Sequence, residues 1–230
     1  HVQVILREAA LDGMIIYQTT LGSCYLISLG LSAGVSARVG NLLGEGKSKK
    51  AAFASSVAIW TTTIMNVIFG AIFWFSPHTF FPSLYNPDIN VQRSAARTIP
   101  WMSLYVIADG VQTTMYGVIK GCGRQPIIAP IVLISYWCIA LPLVYYFAFI
   151  KYDGTTDCDD FDSNFSTCGV AGISAGMTVG TFLHFVAIAV VVYITNWEKE
   201  MDNAMKRLTS SRPGIFTVTD NISNISLEQD

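Results

Sequence analysis

The chain has 230 residues, 52% of them hydrophobic and only 13% charged, about half the charged share of an ordinary soluble domain. Its formal net charge of −2 matters less than where the charges sit, which is in short blocks between long uncharged stretches. That pattern places the chain among membrane proteins and leaves no clustered basic footprint for nucleic acid. His1 begins a segment without the basic head, short apolar core and small-residue cleavage site of a signal peptide, so the chain reads as a fragment or a processed product.

A bilayer core about 30 Å thick needs roughly 20 predominantly apolar residues per helix, with every backbone polar group satisfied inside the segment. Five stretches meet that demand. The first, about 13–37, is uncharged but rich in Gly22, Ser23, Ser28, Gly30, Ser32, Ala33 and Gly34, small residues that favour close helix packing. The second, 51–75, is strongly apolar and closes at Ser76 and Pro77. The third, 98–119, carries Asp109 near its middle. The fourth, 127–150, contains Pro130 and Pro142, either static bends or kinks that free backbone carbonyls for water or an ion. The fifth is 169–194. Residues 1–197 thus form a transmembrane unit, and 198–230, a cytoplasmic tail that turns charged and then Ser, Asn and Thr rich, read as a helix end followed by a stretch of disordered character.

Basic residues in short loops orient such a chain. One set of connections holds Arg38, Lys47, Lys49, Lys50, Lys120, Arg124, Lys199, Lys206, Arg207 and Arg212; the opposite set holds Arg7, Arg93, Arg97 and Lys151. The ten-to-four bias puts the first set in the cytoplasm. The acidic loop from Lys151 to Cys168 then lies outside, where Cys158 and Cys168 are a candidate disulfide and Asn164 heads a glycosylation sequon. The sequons at Asn221 and Asn224 would face the cytoplasm and stay unmodified. Cys24 and Cys138 sit in apolar surroundings, where packing is the expected role.

Of the sixteen acidic residues, Asp109 alone is placed well inside an apolar helix. A carboxylate there costs about 3 kcal/mol on insertion scales, so it is expected to face the bundle interior and to have a function. A carboxyl pulled between the neutral form that burial favours and the charged form that a cation favours can exchange a proton for a metal ion or an organic cation. The alternative is an Asp that ties helices together through Gln112, Thr113 or Thr114. Trp101, Tyr105 and Tyr116 either wall a cavity suited to cations or serve as ordinary core and interface residues. His184, the one histidine within a span, is a packing residue or a proton relay. The glycines at 40, 44, 46, 121 and 123 follow no strand, which disfavours nucleotide binding and leaves tight turns at helix ends. No constellation for an enzyme is present.

Two motifs carry a resemblance. Ser36-Ala37-Arg38-Val39-Gly40-Asn41-Leu42-Leu43-Gly44-Glu45-Gly46 resembles the signature closing the eighth helix of the multidrug and toxin extrusion (MATE) family, and Gly117-Val118-Ile119-Lys120-Gly121-Cys122-Gly123-Arg124-Gln125 resembles the one closing its tenth. The resemblance implies an all-α membrane protein whose five spans are part of the C-terminal six-helix lobe of a twelve-helix transporter, with the N-terminal lobe and the seventh helix lying outside this sequence. It implies a secondary active antiporter in the cell membrane that exports organic cations, drugs or toxins in exchange for protons or sodium, with no cofactor beyond that coupling ion. Asp109 falls where the family carries an acidic residue in its tenth helix, and Tyr25 where animal-type members carry a Tyr. Thr19 stands where those members have Glu, and His184 where some relatives have Gln, departures that bear on coupling and cation preference. The motif residues Arg38, Gly40, Asn41, Gly44, Gly121 and Gly123 carry the likeness. The expected substrate-binding and proton-binding set is Asp109, Tyr25, Tyr105 and Tyr116. A second expectation is a truncated, transport-incompetent membrane fragment that associates with a partner.

Overall fold

The structure, a computed structural model, describes residues 2–151 and 167–211. Among them there is no strand. Helix α1 runs Val2–Gly44, 43 residues and so roughly 65 Å at 1.5 Å per residue, about twice the bilayer core. The expected first span is its middle, and the first signature motif supplies its last turns. Gly46, at φ 73°, closes it: Gly46 N–H donates to the Leu43 carbonyl at 3.1 Å and Lys47 N–H to that of Leu42 at 2.9 Å, the left-handed glycine cap that satisfies free carbonyls at a helix end. Helix α2, Ser48–Phe75, follows at once and ends where Ser76 turns to extended backbone before Pro77.

Two short helices, α3 (Phe80–Tyr85) and α4 (Ile89–Ala96), occupy the connection between the second and third spans, which composition alone does not mark as helical. Asp88 caps α4 by accepting from Asn90 N–H at 2.8 Å. Val91 and Ala95 of α4 pack against Ala9 and Ile16 of α1. Helix α5, Ile99–Gly121, ends on a second glycine cap of the same kind: Gly123 has φ 73°, and Arg124 N–H reaches the Ile119 carbonyl at 3.0 Å. Helix α6 is continuous over Gln125–Ile150. Pro130 and Pro142 do not break it; the turns after them, Leu133–Ala140 and Tyr146–Ile150, are π-helical, a widening that accommodates the lost donors. Helix α7 is Val170–Tyr193 and α8 is Trp197–Ser211.

Helices α1, α2, α6 and α7 are long and apolar enough to cross a membrane; the chain is an all-α, multi-pass membrane protein. The remaining expected span, α5, has the length but not the apolarity. Its position explains this, because it packs against α1, α2 and α7 and buries side chains along most of its length. It has little lipid to face. The outer helices carry the lipid-compatible surface instead, with Leu26, Trp60, Ile64, Trp137, Leu141 and Val190 exposed. Cys138 is exposed as well, so it does not play the packing role expected of it.

Glycine spacing sets how closely α7 meets α6. Gly172, Gly176 and Gly180 recur every fourth residue on one face, and a Cβ on Gly176 would lie 2.6 Å from the Val144 backbone nitrogen; Gly172 faces Phe147 and Gly180 faces Ala140 in the same way. The segment after α7 forms a 15-residue helix of its own, which extends the helix end expected after Trp197. Trp197, Met201 and Ala204 of α8 pack on Val39, Leu42, Leu43 and Ala51, while Glu198 and Glu200 occupy its first turn, where negative charge suits the helix dipole. Residues 212–230, with Arg212, Asn221 and Asn224, lie outside the described residues. Cys168 is buried and disulfide-bonded; Cys158, its expected partner, and Asn164 are likewise outside them.

Candidate functional site

Tyr105, Asp109, Gln112 and Tyr116 fall at i, i+4, i+7 and i+11 on α5, so they share one helix face. Gln112 Nε2 donates to Asp109 Oδ1 at 3.0 Å and lies 3.5 Å from the Tyr136 hydroxyl of α6. That hydroxyl is 3.2 Å from Thr181 Oγ1 of α7. One turn along α7, His184 Nε2 is 2.7 Å from the Tyr116 hydroxyl, and the His184 ring stands edge-on to Tyr136 at 5.2 Å between centroids. A polar chain therefore runs from the Asp109 carboxylate through Gln112 and Tyr136 to Thr181, and the Tyr116–His184 pair lies beside it, meeting it through the Tyr136 ring.

The π-helical turn of α6 carries Tyr136, and the glycine face of α7 brings Thr181 and His184 within its reach. Tyr17 of α1 closes the site on another side, edge-on to Tyr105 at 6.4 Å. Thr113 Oγ1 donates to the Asp109 backbone carbonyl at 2.7 Å, and Thr178 Oγ1 to that of Trp101 at 3.3 Å. Among the described residues, no cation pairs with Asp109. Gln112 Oε1 is buried without a hydrogen-bond partner. The site thus offers a carboxylate and a free amide oxygen, both acceptors, among aromatic rings. Such a set suits a proton or a cation.

Of the expected site residues, Asp109, Tyr105 and Tyr116 lie on this one face. Tyr25, 40% exposed on α1, lies within electrostatic reach of Tyr116 but forms no side-chain hydrogen bond with it among the described residues. Thr19 is also exposed, with its carbonyl accepting from Ser23 Oγ at 3.0 Å. Sequence reading missed Tyr136, Thr181 and Tyr17. The one signal for Tyr136 was a hydroxyl-bearing side chain between two prolines in an otherwise apolar run.

The two signature motifs meet at the opposite region of the bundle, its basic end. A Cβ on Gly121 would lie 2.8 Å from the Ser36 carbonyl, and one on Gly40 3.6 Å from the Gly121 carbonyl, so α1 and α5 touch backbone to backbone. Arg38 and Asn41 point outward and are exposed. Gly40, Gly44 and Gly121 are therefore packing positions within helices, and only Gly46 and Gly123 are turns. Helix α8 clasps this junction. Leu208 lies against Gly44, and the Arg207 guanidinium lies under Gly123 while donating to the Cys122 carbonyl at 2.9 Å. Arg124 pairs with Glu200 at 3.5 Å. Burial, and to a lesser degree Glu200, pushes the Cys122 thiol up to about 11.

The MatE family model matches residues 4–146. Protein DETOXIFICATION 36 of Arabidopsis thaliana is 28% identical over 201 residues, covering 87% of this chain and 37% of its own length. Protein DETOXIFICATION 14 of the same plant is 31% identical over 191 residues, covering 83% of this chain and 36% of its own. A crystal structure of the eukaryotic MATE transporter AtDTX14 superposes with a TM-score of 0.74 at 28% identity, over 87% of this chain and 41% of that one. The chain thus spans less than half the length of the relatives it matches.

Proposed function

The chain belongs to the MatE family, and on that premise we propose that it forms part of a secondary active antiporter exporting organic cations or drug-like molecules in exchange for protons or sodium. Asp109 carries the reading. It is the acidic residue in the middle of a span, held by a neutral amide donor at 3.0 Å and paired with no cation among the described residues. A carboxyl in that state binds a proton or a cation but not both at once, which is the minimal chemistry of exchange. Tyr105, Tyr116 and Tyr136 supply π faces and hydroxyls to an organic cation. The coupling ion serves where other proteins need a cofactor.

Alternating access moves a lobe around such a site rather than moving the site itself. The basic end faces the cytoplasm on the charge bias of its loops, and we assign the protein to the cell membrane. Replacing Asp109→Asn in the full-length protein tests the reading. Reconstituted in vesicles under a proton or a sodium gradient, the variant should lose coupled efflux while keeping its thermal unfolding midpoint. Transport undiminished by the substitution would sink the assignment.

A further inference from the structure

The clasp between α8 and the glycine turn after α5 leaves a cavity of about 640 Å³ at the basic end. Its wall holds Arg124, Lys199, Lys206 and Arg207 against a single acid, Glu200, with Asn203 between them. Glu200 is buried and engaged with Arg124, so the opening presents net positive charge. The two arginines are fixed in place: Arg124 Nη1 also donates to Thr195 Oγ1 at 3.3 Å, and Arg207 is held by the Cys122 carbonyl. Each keeps further N–H groups free, in the planar fork that matches phosphate oxygens. Lys199 and Lys206 are exposed and form no ion pair with any described residue. The cavity lies directly beyond the end of a membrane-spanning helix, the level at which lipid phosphates lie.

We propose that this cavity is a binding site for a phosphorylated anion, supplied by the headgroup of an anionic phospholipid or by a free polyphosphate. The site is separate from the Asp109 network and stands whether or not the transport reading holds. Two preset arginines grip the phosphoryl oxygens, and the two lysines draw the anion in and discriminate against zwitterionic headgroups.

The test uses the purified full-length protein in neutral detergent, with binding followed by microscale thermophoresis. The probes are a short-chain phosphatidylinositol monophosphate, short-chain phosphatidylcholine and inorganic pyrophosphate. The phosphorylated lipid should bind and phosphatidylcholine should not. The double variant Lys199→Gln/Lys206→Gln should bind about tenfold more weakly or worse, whereas Lys47→Gln/Lys49→Gln, at the same end but outside the cavity, should bind as the parent does. Lys206→Glu alone should also weaken binding, keeping the test open if the double variant folds poorly. Pyrophosphate binding with the same sensitivity assigns the site to phosphate chemistry from either source; binding of the lipid alone assigns it to the headgroup. No binding of either phosphorylated probe, equal binding of phosphatidylcholine, or equal weakening by the Lys47/Lys49 variant would overturn the proposal.

Discussion

One phenolic hydroxyl, that of Tyr136, joins α5 to α7 by standing between Gln112 and Thr181. Replacing Tyr136→Phe keeps the ring against His184 and removes only that hydroxyl. We expect a stability loss of about 1 kcal/mol, the usual net worth of such a hydrogen bond, seen as a small drop in the thermal unfolding midpoint. The effect on efflux rate should be larger in proportion, because Gln112 would lose one of the partners that aim its amide at Asp109. An unchanged rate would separate Tyr136 from the Asp109 site. Asp109 itself was legible in the sequence, since a charge inside an apolar run stands out against its cost. Tyr136 and Thr181 were not legible, because a hydroxyl in a span has no meaning until the packing of two helices brings it to a partner.

The close contact of α6 with α7 depends on the face made by Gly172, Gly176 and Gly180. Replacing Gly176→Val puts a branched side chain where the Val144 backbone nitrogen already stands within 2.6 Å of a Cβ position. Overpacking of that kind costs about 1–3 kcal/mol, and thermal melting of the purified variant should show it, along with weaker coupling of Thr181 and His184 to the polar chain. A midpoint equal to the parent's would mean that the helices can separate freely. The long spans were legible because a run of about twenty apolar residues matches the bilayer core in length and is too apolar to face water. The π-helical turns of α6 were not, since the prolines announce a defect but do not say whether the helix kinks or widens. The extent of α8 and its packing on the bundle were hidden by its charges. Its Trp197, Met201, Ala204 and Leu208 recur at helical spacing, and that periodicity was the signal available.

Over the whole molecule, residues 38–50, the turn at 120–124 and α8 converge at one end, so the basic residues separated by loop order are gathered in space as well. Engineered cysteines test the orientation. Lys49→Cys should react with an impermeant maleimide only from the cytoplasmic side, and Thr79→Cys, in the loop after α2, only from outside; the reverse pattern would invert the topology. The central place of α5 has a consequence for how the protein is made. A helix wrapped by its neighbours, carrying Asp109, Gln112, Thr113 and Thr114, makes a weak claim on the bilayer when it emerges alone from the ribosome. Its insertion should therefore be inefficient in isolation, rise when α1 and α2 precede it in the same translated chain, and rise again when Asp109 is replaced by Leu, as scored by glycosylation of a reporter site placed beyond it. The helix at the centre of the bundle would then commit to the membrane late, chaperoned there by the helices that surround it.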